Sequence, residues 1–328
     1  MKLLITGGLG FIGSNFILRM LENHEDLKII NVDAELSGSN KENLSQIQNN
    51  KNYEFVKGNI TNKHLMDDLI SQCDMVINFA AESFVDKSIN DSNPFLVSNI
   101  RGCYTLLDII TKQKKRMIQI STDEVFGSLK TGTATEESKL NPSNPYAATK
   151  ASAELLINSY FLTFNSDIIV TRCTNNYGPR QFPEKLVPKT ILLANQGNNI
   201  PIYGNGSNIR DWIYVDDHCD AIYKILLKGK SGQSYNISAN NEIDNLQIVN
   251  KILEVMGKSN DLIEFVDDRP GHDYRYSLDS SKINRDLSWK IKINFDEGIC
   301  RTVDWYKKNI QYYSSISDET LKSIPWKN

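Results

Sequence analysis

The sequence lacks paired cysteines, clustered histidines and an excess of charge of either sign. Its five cysteines stand singly, with no C-x-x-C pair, which argues against a disulfide framework or a zinc site and for free thiols in a reducing compartment. Its four histidines also lie far apart, so no metal site is expected. A net charge of -3 gives no reason to expect nucleic acid or an anionic membrane as a partner.

Long hydrophobic runs are missing too. The apolar residues that follow Lys2 are interrupted by glycine, threonine and serine before Arg19, which excludes the core of a signal peptide. No later segment is long and apolar enough to cross a bilayer, so we expect a cytoplasmic protein. The 328 residues, of which 40% are hydrophobic and 23% charged, suffice for one large core or for two lobes packed together.

What the chain does contain is an alternation of short apolar runs and helix-length segments. This alternation predicts right-handed βαβ crossovers and a parallel sheet, hence an α/β fold of the doubly wound (Rossmann) type. Strands covered by helices on both faces should be continuously apolar, as these runs are. The predicted strands are residues 2–6, 27–32, 53–57, 75–79, 116–120 and 167–171, and the predicted helices are residues 11–21, 93–111 and 146–164.

The alternation of short apolar runs and helix-length segments changes after about residue 175. Prolines and glycines then separate shorter elements, which predicts a second, smaller α/β lobe for substrate. Residues 212–227 have a helical pattern and are expected to return to the first lobe. We therefore predict a Rossmann domain at 1–174, to which 211–238 return, and a second lobe made of 175–210 and 239–328.

A glycine-rich turn opens the chain. Gly7, Gly10 and Gly13 follow the first predicted strand and begin the first helix, where the backbone can approach a pyrophosphate and free N–H groups can bind it. Asp33 ends the next strand about 20 residues on, where a carboxylate accepts hydrogen bonds from the adenosine ribose. Because that carboxylate repels a 2′-phosphate, the pattern predicts NAD rather than NADP. The alternative is a plain turn with a solvated aspartate.

A tyrosine and a lysine lie one helical turn apart at Tyr146 and Lys150, after Asn144 and Pro145 introduce the helix. A nearby ammonium lowers the pKa of a phenol, so Tyr146 is predicted to take a proton from a substrate hydroxyl while hydride leaves the same carbon. The alternative is a surface pair that has this spacing by chance.

Thr122, Asp123 and Glu124 come directly after the strand that ends at Ile120. A carbon next to a ketone has an acidic C–H that needs a base, and a hydroxyl one carbon further on needs an acid to leave as water. Two adjacent carboxyl groups do not both ionise easily, so one can stay protonated as the acid while the other acts as the base. The alternative is a strand-end cap, a common use of Asp and Thr.

With these motifs the chain resembles the extended short-chain dehydrogenase/reductases, and within them the dTDP-glucose 4,6-dehydratases. The acidic pair is the most specific part of the resemblance. Related 4-epimerases carry small or hydroxyl residues there, and decarboxylases usually have Ser where Asp123 stands. The resemblance runs to about Trp305, and its matching segments are residues 6–15, 80–83, 121–127, 144–153, 175–179, 182–188, 201–204, 209–215 and 268–273.

The resemblance implies oxidation of a sugar nucleotide at C4, loss of water across C5–C6 and return of the hydride to C6, so that tightly bound NAD is regenerated. Tyr146 would deprotonate the C4 hydroxyl, with Lys150 at the nicotinamide ribose and Thr122 at the C4 oxygen. Glu124 would remove the C5 proton, and Asp123 would protonate the leaving C6 hydroxyl. The implied product is the 4-keto-6-deoxy sugar nucleotide of a deoxysugar pathway such as that of dTDP-rhamnose.

Binding residues are implied in the same way. Arg210 and Arg269 suit a diphosphate, because a guanidinium can bond two oxygens at once, although an ion pair with Asp211 or Asp268 is the alternative. The implied cofactor residues are Gly7, Gly10, Phe11, Ile12, Gly13, Asp33, Asn59, Ile60, Phe79, Ala80, Ala81, Ser83, Ser98, Tyr146, Lys150 and Asn176. The implied substrate residues are Ser83, Thr122, Asn175, Lys185, Leu186, Pro201, Tyr203, Arg210, Asn245, Arg269 and His272.

Three departures from the family pattern concern the choice of nucleotide. Phe84 replaces a histidine, residues 34–37 replace a Lys-Leu-Thr-Tyr pattern, and Arg180-Gln181 replaces Tyr-His. A UDP-glucose 4,6-dehydratase is therefore an alternative, since the methyl that distinguishes thymine from uracil is worth only about 1–3 kcal/mol. A 4-epimerase or decarboxylase on the same fold and an NAD-sensing regulator are further alternatives. The family also implies a homodimer joined through helices at 92–112 and 146–164.

Overall fold

The computed structural model describes residues 1–313, 320, 321, 323, 325 and 326. Each predicted strand is present, with ends that differ from the prediction by no more than two residues. The strands are β1 (Lys2–Thr6), β2 (Lys28–Asp33), β3 (Tyr53–Lys57), β4 (Met75–Asn78), β5 (Arg116–Thr122), β6 (Ile168–Cys173), β7 (Asn175–Tyr177), β8 (Ile200–Tyr203), β9 (Ile209–Tyr214), β10 (Ser234–Ile237), β11 (Glu242–Asp244) and β12 (Ile263–Val266).

Helices fill most of the connections between these strands. The α-helices are α1 (Phe11–Asn23), α2 (Lys63–Ser71), α3 (Val85–Asn90), α4 (Asn93–Phe95), α5 (Cys103–Gln113), α6 (Pro145–Phe164), α7 (Leu186–Gln196), α8 (Val215–Lys228), α9 (Asn245–Met256), α10 (Ser281–Leu287) and α11 (Phe295–Lys308). Short 3₁₀ helices occupy Lys41–Ile47, Asp123–Phe126, Asn260–Leu262 and Ile310–Tyr313, and a π-helix occupies Leu96–Gly102.

Seven of the strands form one parallel sheet in the order β10-β6-β5-β4-β1-β2-β3, which confirms the predicted doubly wound fold. Helices bury both faces of this sheet. Leu3 and Ile5 of β1 belong to the core that includes α1 and α8, whereas Leu4 between them belongs to the core that includes α2, α5 and α6. Full burial of each such side chain stabilises the fold by about 1.5–3 kcal/mol.

Two predicted helices need correction. The helix predicted at 93–111 is α4, a π-helix and α5, and the wider π turn carries Asn99, whose amide hydrogen-bonds Glu82 and Thr149. The helix predicted at 212–227 begins only at Val215, because the residues before it belong to β9, which pairs with β7 and β11. Sheet pairing between distant segments overrides the local helical pattern there.

The second lobe contains the three-stranded sheet β11-β9-β7 and the two-stranded sheet β12-β8. Its core lies between α7, α9 and α11 and includes the fully buried Tyr177, Ile248 and Ile299. The chain returns to the large sheet after β9. Arg19 of α1 pairs with Asp220 of α8, and β10 then extends the large sheet beside β6. The domain limits at 174, 210 and 238 stay a prediction. Among the described helices, none has the length and apolar character to span a membrane.

Candidate active site

The glycine-rich turn lies at the carboxyl end of β1 and leads into α1. Gly7 has a φ of 71°, and a Cβ there would lie 2.6 Å from the backbone of Ala80. A Cβ on Gly13 would lie 2.6 Å from the carbonyl oxygen of Gly7. A larger residue at either position would therefore push the turn away from its neighbours. With glycine at both positions, the N-terminus of α1 stays open to a ligand.

Asp33, at the end of β2, is 5% exposed and already accepts three hydrogen bonds. Its donors are the backbone N–H groups of Leu9 and Glu35, at 3.0 and 2.8 Å, and the hydroxyl of Ser39, at 2.8 Å. A carboxylate has about four acceptor positions, so one remains for a ribose hydroxyl. The aspartate thus both shapes the turn and lines the cavity beside it.

Positive charge near Asp33 is neutralised by a neighbouring carboxylate. Glu35, with a φ of 57°, pairs with Lys41 at 2.9 Å and with Lys57 at 3.0 Å. Both lysines therefore already contact an anion, and Asp33 itself would repel a 2′-phosphate. This arrangement favours NAD over NADP.

A cavity of about 310 Å³ runs along the carboxyl ends of the strands from Asp33 to Lys150. All sixteen predicted cofactor residues line it, together with the predicted substrate residues Ser83 and Thr122. The glycine turn and the buried aspartate beside it, both at the wall of this cavity, fit a dinucleotide.

The acidic pair sits in a 3₁₀ turn that begins where β5 ends. Thr122 accepts a hydrogen bond from the Glu124 backbone N–H at 3.3 Å and donates one to Asp123 Oδ1 at 3.1 Å, so Thr122 does cap the turn. Asp123 is 4% exposed, and its Oδ2 has no hydrogen-bond partner among the described residues. Burial, with the nearby Glu124 carboxylate, raises the pKa of Asp123 to about 8. Asp123 is therefore a neutral acid at pH 7.

Tyr146 stands in the first turn of α6, which Asn144 caps by accepting from the Ala147 backbone N–H at 2.9 Å. That Lys150 lowers the pKa of this phenol stays a prediction. Burial raises the pKa of Tyr146, and Glu124 adds to the increase. Lys150 donates to the carbonyl oxygen of Ile120 at 2.6 Å, so its ammonium ties α6 to the end of β5.

Glu124 lies where two cavities meet. Its Oε2 is 3.2 Å from Asn144 Nδ2 and 3.4 Å from the hydroxyl of Tyr276, and its side chain is only partly buried. Glu124 lines both the cavity described above and a second one of about 170 Å³ in the other lobe. A carboxylate in this position can reach a ligand that extends from one cavity into the other.

The second cavity gathers the remaining predicted substrate residues. Arg210 is buried, lies over the ring of Tyr276 at 4.2 Å and donates to the backbone carbonyls of Ile209, Tyr274 and Asp273. Among the described residues, its guanidinium hydrogen-bonds these carbonyls and not Asp211, the alternative partner. The residues that line this cavity as predicted are Asn175, Lys185, Leu186, Pro201, Tyr203, Arg210, Asn245, Arg269 and His272.

Arg269 and His272 face this cavity with different partners. The Arg269 guanidinium pairs with Asp86 at 2.9 Å, while Asp268 bonds the Arg269 backbone N–H instead. His272 Nδ1 lies 2.6 Å from Asp268. Burial and the neighbouring arginines lower the pKa of His272 to about 4, so this imidazole is neutral at pH 7. The positive charge of the cavity therefore comes from its arginines and lysines rather than from His272.

Of the residues that depart from the family pattern, Phe84 and Gln181 line the cavities, whereas Arg180 does not. The Phe84 ring contacts the ammonium groups of Lys87 and Lys185, each at 5.4 Å from its centroid. Arg180 donates to the carbonyl oxygen of Asn43 at 3.2 Å, and Gln181 donates to Asn176 at 2.8 Å. Gln181 thereby joins the lining of both cavities.

Sequence reasoning missed several buried polar residues of the second cavity. Asp86 is 2% exposed and accepts from both Arg269 and Tyr203. Burial raises the pKa of Glu184 and lowers the pKa of Lys189 to about 8. The available signal was a charged side chain beside a matching segment, which does not distinguish a buried residue from a solvated one. Those missed are Asp86, Gln181, Glu184, Lys189 and Tyr276.

A model of the GDP-mannose 4,6 dehydratase family matches residues 4–302. The chain belongs to this family. The low-salt glycan biosynthesis protein Agl12 of Haloferax volcanii is 46% identical to this chain, over 93% of this chain and 98% of its own length.

Solved structures of 4,6-dehydratases share the fold closely. The dTDP-glucose 4,6-dehydratase of Bacillus anthracis, in complex with NAD, is 45% identical and has a TM-score of 0.90 over 95% of this chain and 98% of its own. The Streptomyces venezuelae dTDP-glucose 4,6-dehydratase, also with NAD bound, is 38% identical and has a TM-score of 0.94 over 97% of this chain and 100% of its own. The predicted fold class and the resemblance to dTDP-glucose 4,6-dehydratases are thus confirmed.

Proposed function

We propose that this protein is an NAD-dependent dTDP-glucose 4,6-dehydratase that forms the 4-keto-6-deoxy sugar nucleotide and water. The observation that carries the proposal is the junction of the two cavities. There Glu124 faces both cavities, and Asp123 beside it holds its proton at pH 7. A neutral acid next to a carboxylate is the pair that an elimination of water needs.

The larger cavity is where NAD would be held. The α1 N-terminus, opened by Gly7 and Gly13, would bind the pyrophosphate, and Asp33 would bind the adenosine ribose. Tyr146 and Lys150 line the opposite end. When bound, NAD would accept a hydride from the sugar and return it later. A positive charge near the Tyr146 hydroxyl would oppose the effect of burial on its pKa.

The chain's own residues supply the proton transfers of the reaction. Tyr146 takes the proton of the C4 hydroxyl as C4 becomes a ketone, and Thr122 hydrogen-bonds the C4 oxygen. Glu124 then removes the proton from C5, which the ketone has made acidic. Asp123 gives its proton to the C6 hydroxyl, so that the C6–O bond breaks and water leaves as the C5–C6 double bond forms. When the hydride returns to C6, Glu124 gives its proton back to C5, which completes the 4-keto-6-deoxy product.

The acidic pair also separates this activity from its alternatives. An epimerase needs no acid to expel a hydroxyl, yet Asp123 is kept neutral within the site. A regulator that only senses NAD needs neither Glu124 nor the buried arginines of the second cavity. The nearly complete overlap with the Bacillus anthracis and Streptomyces venezuelae dehydratases supports the same reaction and the dTDP form of the substrate.

Product analysis tests the proposal. The purified holoenzyme is offered dTDP-, UDP- and GDP-glucose separately, and the products are identified by NMR, with Tyr146→Phe as a matched inactive control. We expect the 4-keto-6-deoxy product to form fastest from dTDP-glucose. Formation of UDP-galactose from UDP-glucose would indicate an epimerase, and NAD binding without turnover of any of these sugars would indicate a regulator.

We also propose a homodimer joined through the segments predicted for it, 92–112 and 146–164, which include most of α5 and of α6. Large apolar side chains are exposed on these segments: Tyr104 is 49%, Leu155 62%, Leu162 72% and Phe164 57% exposed. A cluster of this kind is typical of a protein interface. Leu162→Glu should shift the protein toward monomer in light scattering after gel filtration, whereas Leu227→Glu, at an exposed leucine on α8, should not.

A cytoplasmic location is the last part of the proposal. All five cysteines are free thiols, and four of them are buried. Free thiols persist in a reducing compartment. Cell fractionation should therefore find the protein with cytoplasmic markers, and recovery in an extracytoplasmic fraction would contradict this location.

A further inference from the structure

One buried carboxylate joins three distant segments at the second cavity. Asp86 lies in the first turn of α3 and is 2% exposed. Its Oδ1 accepts from Arg269 at 2.9 Å, and its Oδ2 accepts from the Tyr203 hydroxyl at 3.2 Å. Arg269 lies beyond β12 and Tyr203 ends β8, so Asp86 connects the first lobe to two parts of the second.

The pairing leaves one edge of the Arg269 guanidinium available. Arg269 uses NH1 to contact Asp86, and its Nε is buried with no hydrogen-bond partner among the described residues. Burial of an unsatisfied donor costs free energy unless a ligand accepts from it. The Nε and NH2 groups together form an edge that can bind two oxygens of one phosphate.

The buried ion pair of Arg172 and Glu154 shows how an arginine with a purely structural role differs from Arg269. Arg172 donates from Nε and NH2 to the carboxylate of Glu154 and from NH1 to the carbonyl oxygen of Glu136. This pair lies outside both site cavities, and its guanidinium has a partner on each side. Arg269, in contrast, lines the second cavity and has a buried Nε without a hydrogen-bond partner among the described residues.

We infer that Asp86 is a positioning residue that orients Arg269 to bind the diphosphate end of the sugar nucleotide, while the Tyr203 hydroxyl holds Asp86 by donating to it. The inference rests on the proposed function, because it assigns the second cavity to a nucleoside diphosphate. Asp86 itself repels a phosphate and does not bind the ligand. It acts by keeping the guanidinium from rotating into other hydrogen bonds.

The test measures binding of dTDP and of thymidine to the holoenzyme by calorimetry. Asp86→Asn should weaken dTDP binding about 10- to 100-fold, the effect of losing one charged hydrogen bond, and should leave thymidine binding unchanged because thymidine has no diphosphate. The kinetic loss should lie mainly in KM. The matched control Glu154→Gln, which breaks the structural pair, should lower stability without weakening dTDP binding.

A double variant shows whether Asp86 acts through Arg269. If it does, Asp86→Asn combined with Arg269→Ala should bind dTDP no more weakly than Arg269→Ala alone. Equal losses for dTDP and thymidine, additive losses in the double variant, or unchanged dTDP binding by Asp86→Asn would each overturn the inference. If Asp86→Asn does not fold, Asp86→Glu, which displaces the charge by one methylene, should show the same selective loss of dTDP.

The result of the binding experiment does not depend on whether the proposed reaction occurs. A wild-type holoenzyme that yields no 4-keto product would overturn the proposed dehydratase activity. The selective effect of Asp86→Asn on dTDP would still support the positioning role, and its absence would still overturn that role.

Discussion

Replacing Asp123 with asparagine should make the protein less active and more stable. Asp123 has a pKa of about 8 in the folded protein against an ordinary value of 3.8, because burial and Glu124 disfavour its charged form. Between pH 3.8 and about pH 8, Asp123 therefore keeps its proton in the folded protein and releases it in the unfolded chain. Rising pH therefore destabilises the folded wild-type protein across this range, and the loss levels off above pH 8.

The magnitude follows from the difference between the two pKa values. The penalty for keeping this proton in the folded state is about 2 kcal/mol at pH 5 and about 4 kcal/mol at pH 7. Asparagine has no such penalty, and its Oδ1 can still accept from Thr122, as Asp123 does at 3.1 Å. The stability of Asp123→Asn should therefore exceed that of the wild type by up to these amounts.

Urea unfolding followed by circular dichroism at pH 5, 6, 7 and 8 measures the difference, with equal NAD content in both proteins. The control is Glu154→Gln, since the Glu154 carboxylate is also buried but pairs with Arg172 at 2.7 Å. That control should lose stability. A gap between Asp123→Asn and wild type that does not grow with pH, or a less stable variant, would refute the reasoning.

Three further predictions concern the reaction. Glu124→Gln should still permit oxidation at C4 but should slow exchange of the C5 proton by about 10²–10⁴-fold, as measured by NMR in deuterated water. Full activity of this variant would show that another residue is the base. Tyr146→Phe should give no transient NADH absorbance in stopped flow, and a normal transient would show that another group takes the C4 proton. The wild-type kcat should fall as the pH rises above about 8, because Asp123 then loses the proton that it donates; a flat profile would contradict its role as the acid.

The spacing of Tyr146 and Lys150 in the sequence does not by itself determine the pKa of Tyr146. The spacing of Tyr146 and Lys150 placed both on one face of α6, as predicted, but spacing does not define which partner an ammonium takes. Lys150 reaches the carbonyl oxygen of Ile120 on a neighbouring strand, whereas Glu124 and burial dominate the surroundings of the phenol. Contacts between elements far apart in sequence decide this electrostatic balance.

Local patterns in the sequence determined much of the fold. Period and apolar character define the strands of a sheet covered on both faces, and a glycine turn followed by an acidic strand end defines a dinucleotide site, because these features depend on short-range geometry. The helix predicted at 212–227 was wrong at its start, since the pairing of β9 with β7 and β11 is a long-range choice.

Only the tertiary structure decided which charges are buried and whom they contact. Nothing in the chain near Asp86 indicates that it pairs with Arg269, 183 residues away, or that Asp123 has an oxygen with no partner among the described residues. The energy of a charge depends on its desolvation and on neighbours brought together by folding, and neither quantity can be computed from a residue's place in the sequence.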